Sequence, residues 1–142
     1  MKNLHLGIIS FAFITILVAL YYGVSIQNAQ DNFLTAHLYL DEGESFADLD
    51  EIPTLGFKAA IITTFFLVFG FTLELFVYFK TNFKRVKNLA IGALICYLII
   101  FGFDILFLIS PKLYNFRDYG MIWVLLSLTI IFINGVSIFV KK

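Results

Sequence analysis

Two carboxylates, Glu74 and Asp104, stand inside long apolar runs of the chain, where a carboxyl group can exchange a proton or hold a cation. A charge near the centre of a membrane-crossing helix costs about 2.5–3.5 kcal/mol on insertion scales, so such residues need a partner or a task. They mark proton relays and ion paths, and in assemblies they also join one subunit to another. The usual catalytic repertoire is missing around them. There is no Gly-rich phosphate loop, HExxH, GxSxG or CxxC, and the one cysteine, Cys96, lies in an apolar run. The pattern places no Lys, Arg or His beside either carboxylate, and His5 and His37 fall on opposite sides of the membrane, which disfavours a shared haem or metal. The expectation is a protein that is not an enzyme, carries no cofactor and binds no nucleic acid.

The elements that must position these groups follow from composition. The 142 residues are 61% hydrophobic and 14% charged, with a mean hydropathy of +0.93, against roughly 45–50% apolar residues in a soluble domain. Apolar runs cover 5–26, 57–79, 88–110 and 120–140, each close to the ~20 residues that cross ~30 Å of hydrocarbon as a helix. The first run is longer than the roughly 7–15 residues of a signal-peptide core and reads as a retained span. A transmembrane barrel needs short segments alternating in polarity, which these are not. The expected fold is an all-α integral membrane protein, a single domain forming a four-transmembrane-helix bundle.

Charge sets the expected orientation. With four spans, Lys2, Lys80, Lys84, Arg85, Lys87, Lys141 and Lys142 share one side, and Lys58, Lys112 and Arg117 the other. Positive-inside sorting then puts both termini in the cytoplasm. The external connection, 27–56, contains Asp31, Asp41, Glu42, Glu44, Asp48, Asp50 and Glu51 with no Lys or Arg before Gly56. Asp31 is placed to cap a short helix through Leu40, and Pro53 and Gly56 to precede the second span. The acidic residues do not follow an EF-hand pattern and suit a solvated loop. In the cytoplasmic stretch 80–87, Lys80, Lys84, Arg85 and Lys87 are candidate contacts for anionic lipid headgroups at about 1 kcal/mol each, although topology alone accounts for them.

The second span runs inward and the third outward, so Glu74 and Asp104 differ in depth by about 15 Å and form two sites rather than a dyad. Glu74 aligns with Asn134. Asp104 lies level with Tyr21 or Tyr22, Thr63 or Thr64, and Ser127. Helical spacing gives inward stripes Ser10–Ile14–Leu17–Tyr21, Thr63–Leu67–Gly70–Glu74, Tyr97–Phe101–Asp104 and Ser127–Ile131–Asn134. Such stripes serve as glue between helices or as a hydrated path. Ala19 and Gly23, with Ala90, Gly92 and Ala93, are small enough for close helix approach.

The leading functional expectation is a non-catalytic accessory subunit of a multi-subunit complex in a bacterial inner membrane, packed against a larger membrane protein with 27–56 facing the periplasm. The alternative is a small ion- or proton-coupled transporter or channel, homo-oligomeric, with Glu74 and Asp104 as its titrating groups. A loop that recognises an external ligand is a third reading.

Overall fold

In apolar surroundings the backbone must close its hydrogen bonds within each segment, and a helix does so without help from any neighbour. A computed structural model describes the backbone over residues 1–39, 47–109 and 116–140, and the side chains over 1–25, 58–106, 109 and 121–140. The described residues form four helices: α1 (Lys2–Tyr39), α2 (Ala47–Lys80), α3 (Lys84–Ile109) and α4 (Phe116–Phe139). Each contains a stretch long and apolar enough to cross a membrane: Lys2–Ser25, Lys58–Lys80, Lys84–Leu106 and Met121–Phe139.

The helices run up and down in turn. α1 packs on α2 and α4, and α3 packs on the same two. Buried positions advance in alternating steps of three and four: His5, Ile8, Ala12, Thr15 and Ala19 on α1; Thr63, Leu67, Gly70, Glu74 and Val77 on α2. The pattern repeats as Ala90, Ala93, Tyr97, Ile100 and Asp104 on α3, and as Trp123, Ser127, Ile130, Asn134 and Ser137 on α4. A mean step of 3.5 is the mark of knobs-into-holes packing with a shallow left-handed crossing. Outward faces are apolar, with Phe13, Phe65, Phe76 and Phe132 each more than half exposed. The hydroxyls of Ser10, Thr72 and Thr129 on those faces donate to the carbonyl four residues back at 2.8–2.9 Å, so they need no neighbour.

Two local expectations change. The chain does not restart a capped helix at Asp31; α1 continues unbroken to Tyr39, because neither Gly nor Pro interrupts it there. Pro53 and Gly56 lie inside α2 rather than before it. The connection 27–56 is thus helical at both ends, and residues 40–46, together with all its acidic side chains, lie outside the described residues.

The α2–α3 turn is tighter than 80–87. Thr81 N–H donates to Val77 O at 3.0 Å, Phe83 N–H reaches Thr81 Oγ1 at 3.4 Å, and Lys87 N–H already bonds Phe83 O at 3.0 Å. Lys84 and Arg85 therefore sit in the first turn of α3, where the positive end of the helix dipole opposes them. Helix stabilisation does not account for their position. Lys80 is favourably placed at the C-terminal end of α2, and the Lys87 ammonium lies 5.9 Å from the Tyr78 ring.

Candidate functional site

The buried seam carries two polar clusters, one near each end, with hydroxyls between them. At the end shared by the two termini, the Asn134 side-chain N–H₂ donates to Glu74 Oε2 at 2.9 Å and to Ile130 O at 3.0 Å. Asn134 Oδ1 lies 2.7 Å from His5 Nδ1. Turning the amide over would set its oxygen against two acceptors, so the oxygen must face His5 and the Nδ1 of His5 must carry a hydrogen. The amide dipole is aligned so that a positive His5 and a negative Glu74 stabilise each other through it. All three residues are buried, and together they tie α1, α2 and α4. His5 also lines a cavity of about 180 Å³ with Met1, Lys2, Thr81 and Ser137.

At the other cluster, Thr64 Oγ1 donates to Asp104 Oδ2 at 2.6 Å, and the Trp123 indole makes a looser contact with the same carboxyl group. Asp104 Oδ1 has no hydrogen-bond partner among the described residues. Neighbouring Thr63 turns back on its own helix, donating to Ala59 O at 2.7 Å and Ala60 O at 3.1 Å.

Between the clusters stand Ser127 and Tyr97, both buried and both with a hydroxyl oxygen unbonded among the described residues. Phe71 meets the Tyr97 ring edge-on at 5.9 Å and Phe101 lies nearly parallel to it at 6.5 Å. The phenol tip rests on Gly70, where a Cβ atom would stand 2.5 Å from Tyr97 Oη. Only glycine leaves that seat open.

No family model, curated protein or solved structure matches this chain. Its chemistry is read from the geometry alone. α2 meets Asp104 at Thr64 and meets Asn134 at Glu74, a rise of about 15 Å, so the carboxyl groups occupy separate levels. Among the described residues no three His, Cys, Asp or Glu side chains converge as metal ligands would.

α1 presents a different face from the one its spacing suggested. Tyr21 is 68% exposed and packs edge-on against Tyr22 at 5.3 Å, so it does not reach Asp104, and Ser10 and Leu17 also face outward. The face that turns inward carries His5, the residue that sequence reasoning missed. The expectation that no histidine stands near a carboxylate fails here, since Asn134 joins His5 to Glu74. The available signal was Ala12, Thr15 and Ala19 at steps of three and four from His5, small or polar residues that allow helices to approach. Lys80, Lys84 and Arg85 are exposed at the cavity end of the bundle.

Proposed function

We propose that this chain is an integral membrane protein with cytoplasmic termini, acting as a small ion- or proton-coupled transporter or channel in which Glu74 and Asp104 bind the ion. The observation that carries this reading is two buried carboxyl groups at separate levels of one polar seam, Asp104 beside Thr64 and Glu74 in the cluster that includes the cavity-lining His5. A seam built only for packing would satisfy its polar atoms. An unmade hydrogen bond costs about 1–3 kcal/mol for each buried group, and Asp104 Oδ1, Tyr97 Oη and Ser127 Oγ all stand unbonded among the described residues.

Burial inside one chain also removes both carboxylates from the surface a partner subunit would touch. Asn134 does not itself pass protons, because an amide lacks an accessible second protonation state near neutrality. It holds His5 and Glu74 so that a charge on one stabilises the opposite charge on the other. The test is flux into liposomes containing the purified protein and a pH-sensitive dye. Glu74→Gln and Asp104→Asn should each cut flux at least tenfold while the protein still purifies as a folded species. Full flux in both variants would remove the carboxylates from the mechanism.

The accessory-subunit reading draws on a separate feature, an open apolar groove of about 530 Å³ along α4 lined by Ile131, Phe132, Gly135, Val136 and Phe139. A helix from a larger inner-membrane protein suits such a groove. A Cβ at Gly135 meets nothing within 4 Å, so Gly135→Leu fills the groove without disturbing the bundle. A stoichiometric partner retained in mild detergent and released by Gly135→Leu would favour this reading; purification without any partner counts against it.

A further inference from the structure

We infer that the coupled ion is a proton and that it moves between the two carboxyl levels over the hydroxyls of Ser127 and Tyr97; this rests on the transport reading above. The levels follow from the observed pairings. Thr64 meets Asp104, Gly70 meets Tyr97 and Glu74 meets Asn134. α2 and α4 run in the same direction, so the Glu74–Asn134 pairing sets Ser127 level with Leu67, between Asp104 and Tyr97. The order along the seam is Asp104, Ser127, Tyr97, Glu74, with steps of three or four residues, about 4.5–6 Å each.

These are axial steps, and waters bridge oxygens that do not bond directly, each water that accepts from one oxygen and donates to another spanning about 5.6 Å. The oxygens unbonded among the described residues, Asp104 Oδ1, Ser127 Oγ and Tyr97 Oη, fall in this stretch. Glu74 stands one helical turn along α2 from Gly70, on which Tyr97 Oη rests, and completes the series at the level of Asn134.

The surroundings distinguish the proton from a metal cation. Leu67, Ile100 and Ile130, the buried apolar residues of this part of the seam, offer no side-chain oxygen. A hard cation such as Ca²⁺ takes roughly six to eight oxygen ligands, and two hydroxyls among these side chains do not supply them. A proton needs only oxygens that both accept and donate. In each step a hydroxyl accepts one proton on a lone pair and releases its own on the far side. Asp104 ends as carboxylate, Glu74 as carboxylic acid, and Ser127 and Tyr97 are unchanged in composition. Gly70 seats the Tyr97 hydroxyl in this row of oxygens, and the two flanking Phe rings hold the phenol there.

The experiment compares proton with Na⁺ and K⁺ flux in liposomes for the unmodified protein, Tyr97→Phe and Ser127→Ala, in H₂O and D₂O. Expected are proton flux without metal-ion flux, slowing of about twofold in D₂O, and at least a tenfold loss in Tyr97→Phe with its detergent unfolding midpoint unchanged. Tyr97→Phe keeps the ring packing, so a role confined to packing would leave flux intact. Full proton flux in both hydroxyl variants, or metal-ion flux without proton flux, overturns the relay and leaves the transport reading standing. No flux of any ion from the unmodified protein overturns both.

Discussion

The two carboxyl groups lie in one seam yet are held differently. Glu74 is bonded by an amide whose remaining hydrogen and oxygen are also engaged, so that three helices converge on Asn134. Asp104 has one short bond from a neighbouring helix, a looser indole contact, and an oxygen left without a partner among the described residues. The first arrangement resists change because moving any member breaks several bonds. The second keeps capacity to accept another donor. The transport reading proposed above calls for both properties, a fixed point around which helices pack and a group able to exchange its ligand, at opposite ends of the seam.

The largest expected effect tests the fixed end. Asn134→Leu removes the bonds to His5 and Glu74 together and leaves both buried without partners, a loss of about 3 kcal/mol in stability. Unfolding of the purified protein in mixed detergent should show it as a large drop in midpoint. If Asn134→Leu unfolds like the unmodified chain, the Glu74–Asn134 cluster is not the clamp of the bundle and the contrast with Asp104 fails.

Gly70→Ala comes next and probes the boundary between the two ends. The added methyl would meet the Tyr97 hydroxyl and ring at 2.5 and 3.2 Å, and overpacking of this kind costs about 1–3 kcal/mol. Pairing it with Tyr97→Phe discriminates the cause. Loss of the hydroxyl should relieve part of the strain, so the double variant should be more stable than Gly70→Ala alone. Equal stability would place the clash elsewhere.

Much of this arrangement was legible in the chain. The seams of α2, α3 and α4 follow from polar residues at steps of three and four, Thr63–Leu67–Gly70–Glu74 among them, because each polar side chain in an apolar run has one energetically acceptable direction. α1 carried a weaker instruction. Its serine at position 10 could be read as facing inward, but a serine hydroxyl is satisfied by its own helix, as Ser10 is by Leu6 O. The inward face is instead marked by alanines and by a histidine at the margin of the apolar run, where it reads as an interfacial residue. The choice between Thr63 and Thr64 was equally open, since adjacent hydroxyls differ by one helical step of 100° and only the packed partner decides which donates. The extension of α1 to Tyr39 depends on the absence of a breaker, which is less conspicuous in a sequence than the presence of a cap.

Thr64→Val sharpens the contrast from the Asp104 end. It removes the one short bond to Asp104 while keeping the side-chain shape, and interhelical hydrogen bonds in membrane proteins are typically worth about 0.6–2 kcal/mol. A loss of about 1 kcal/mol is expected, roughly a third of the Asn134→Leu effect. An equal loss in the two variants would mean that the Asp104 cluster is as firmly built as the Glu74–Asn134 cluster.

The smallest expected effect is at Ser127, and it separates stability from function most directly. Its hydroxyl is buried but makes no hydrogen bond among the described residues, whereas the serines and threonines elsewhere on these helices commonly bond their own backbone. Ser127→Ala therefore removes a polar atom without breaking a bond within the chain, and because the relay waters offset most of that atom's desolvation, stability should change by less than about 0.5 kcal/mol. A substantial loss of stability would show that Ser127 holds the helices together through a contact outside the described arrangement. The seam between the clusters would then be a second clamp rather than an open run of donors and acceptors, and the difference between the two carboxyl ends would no longer explain how they divide their work.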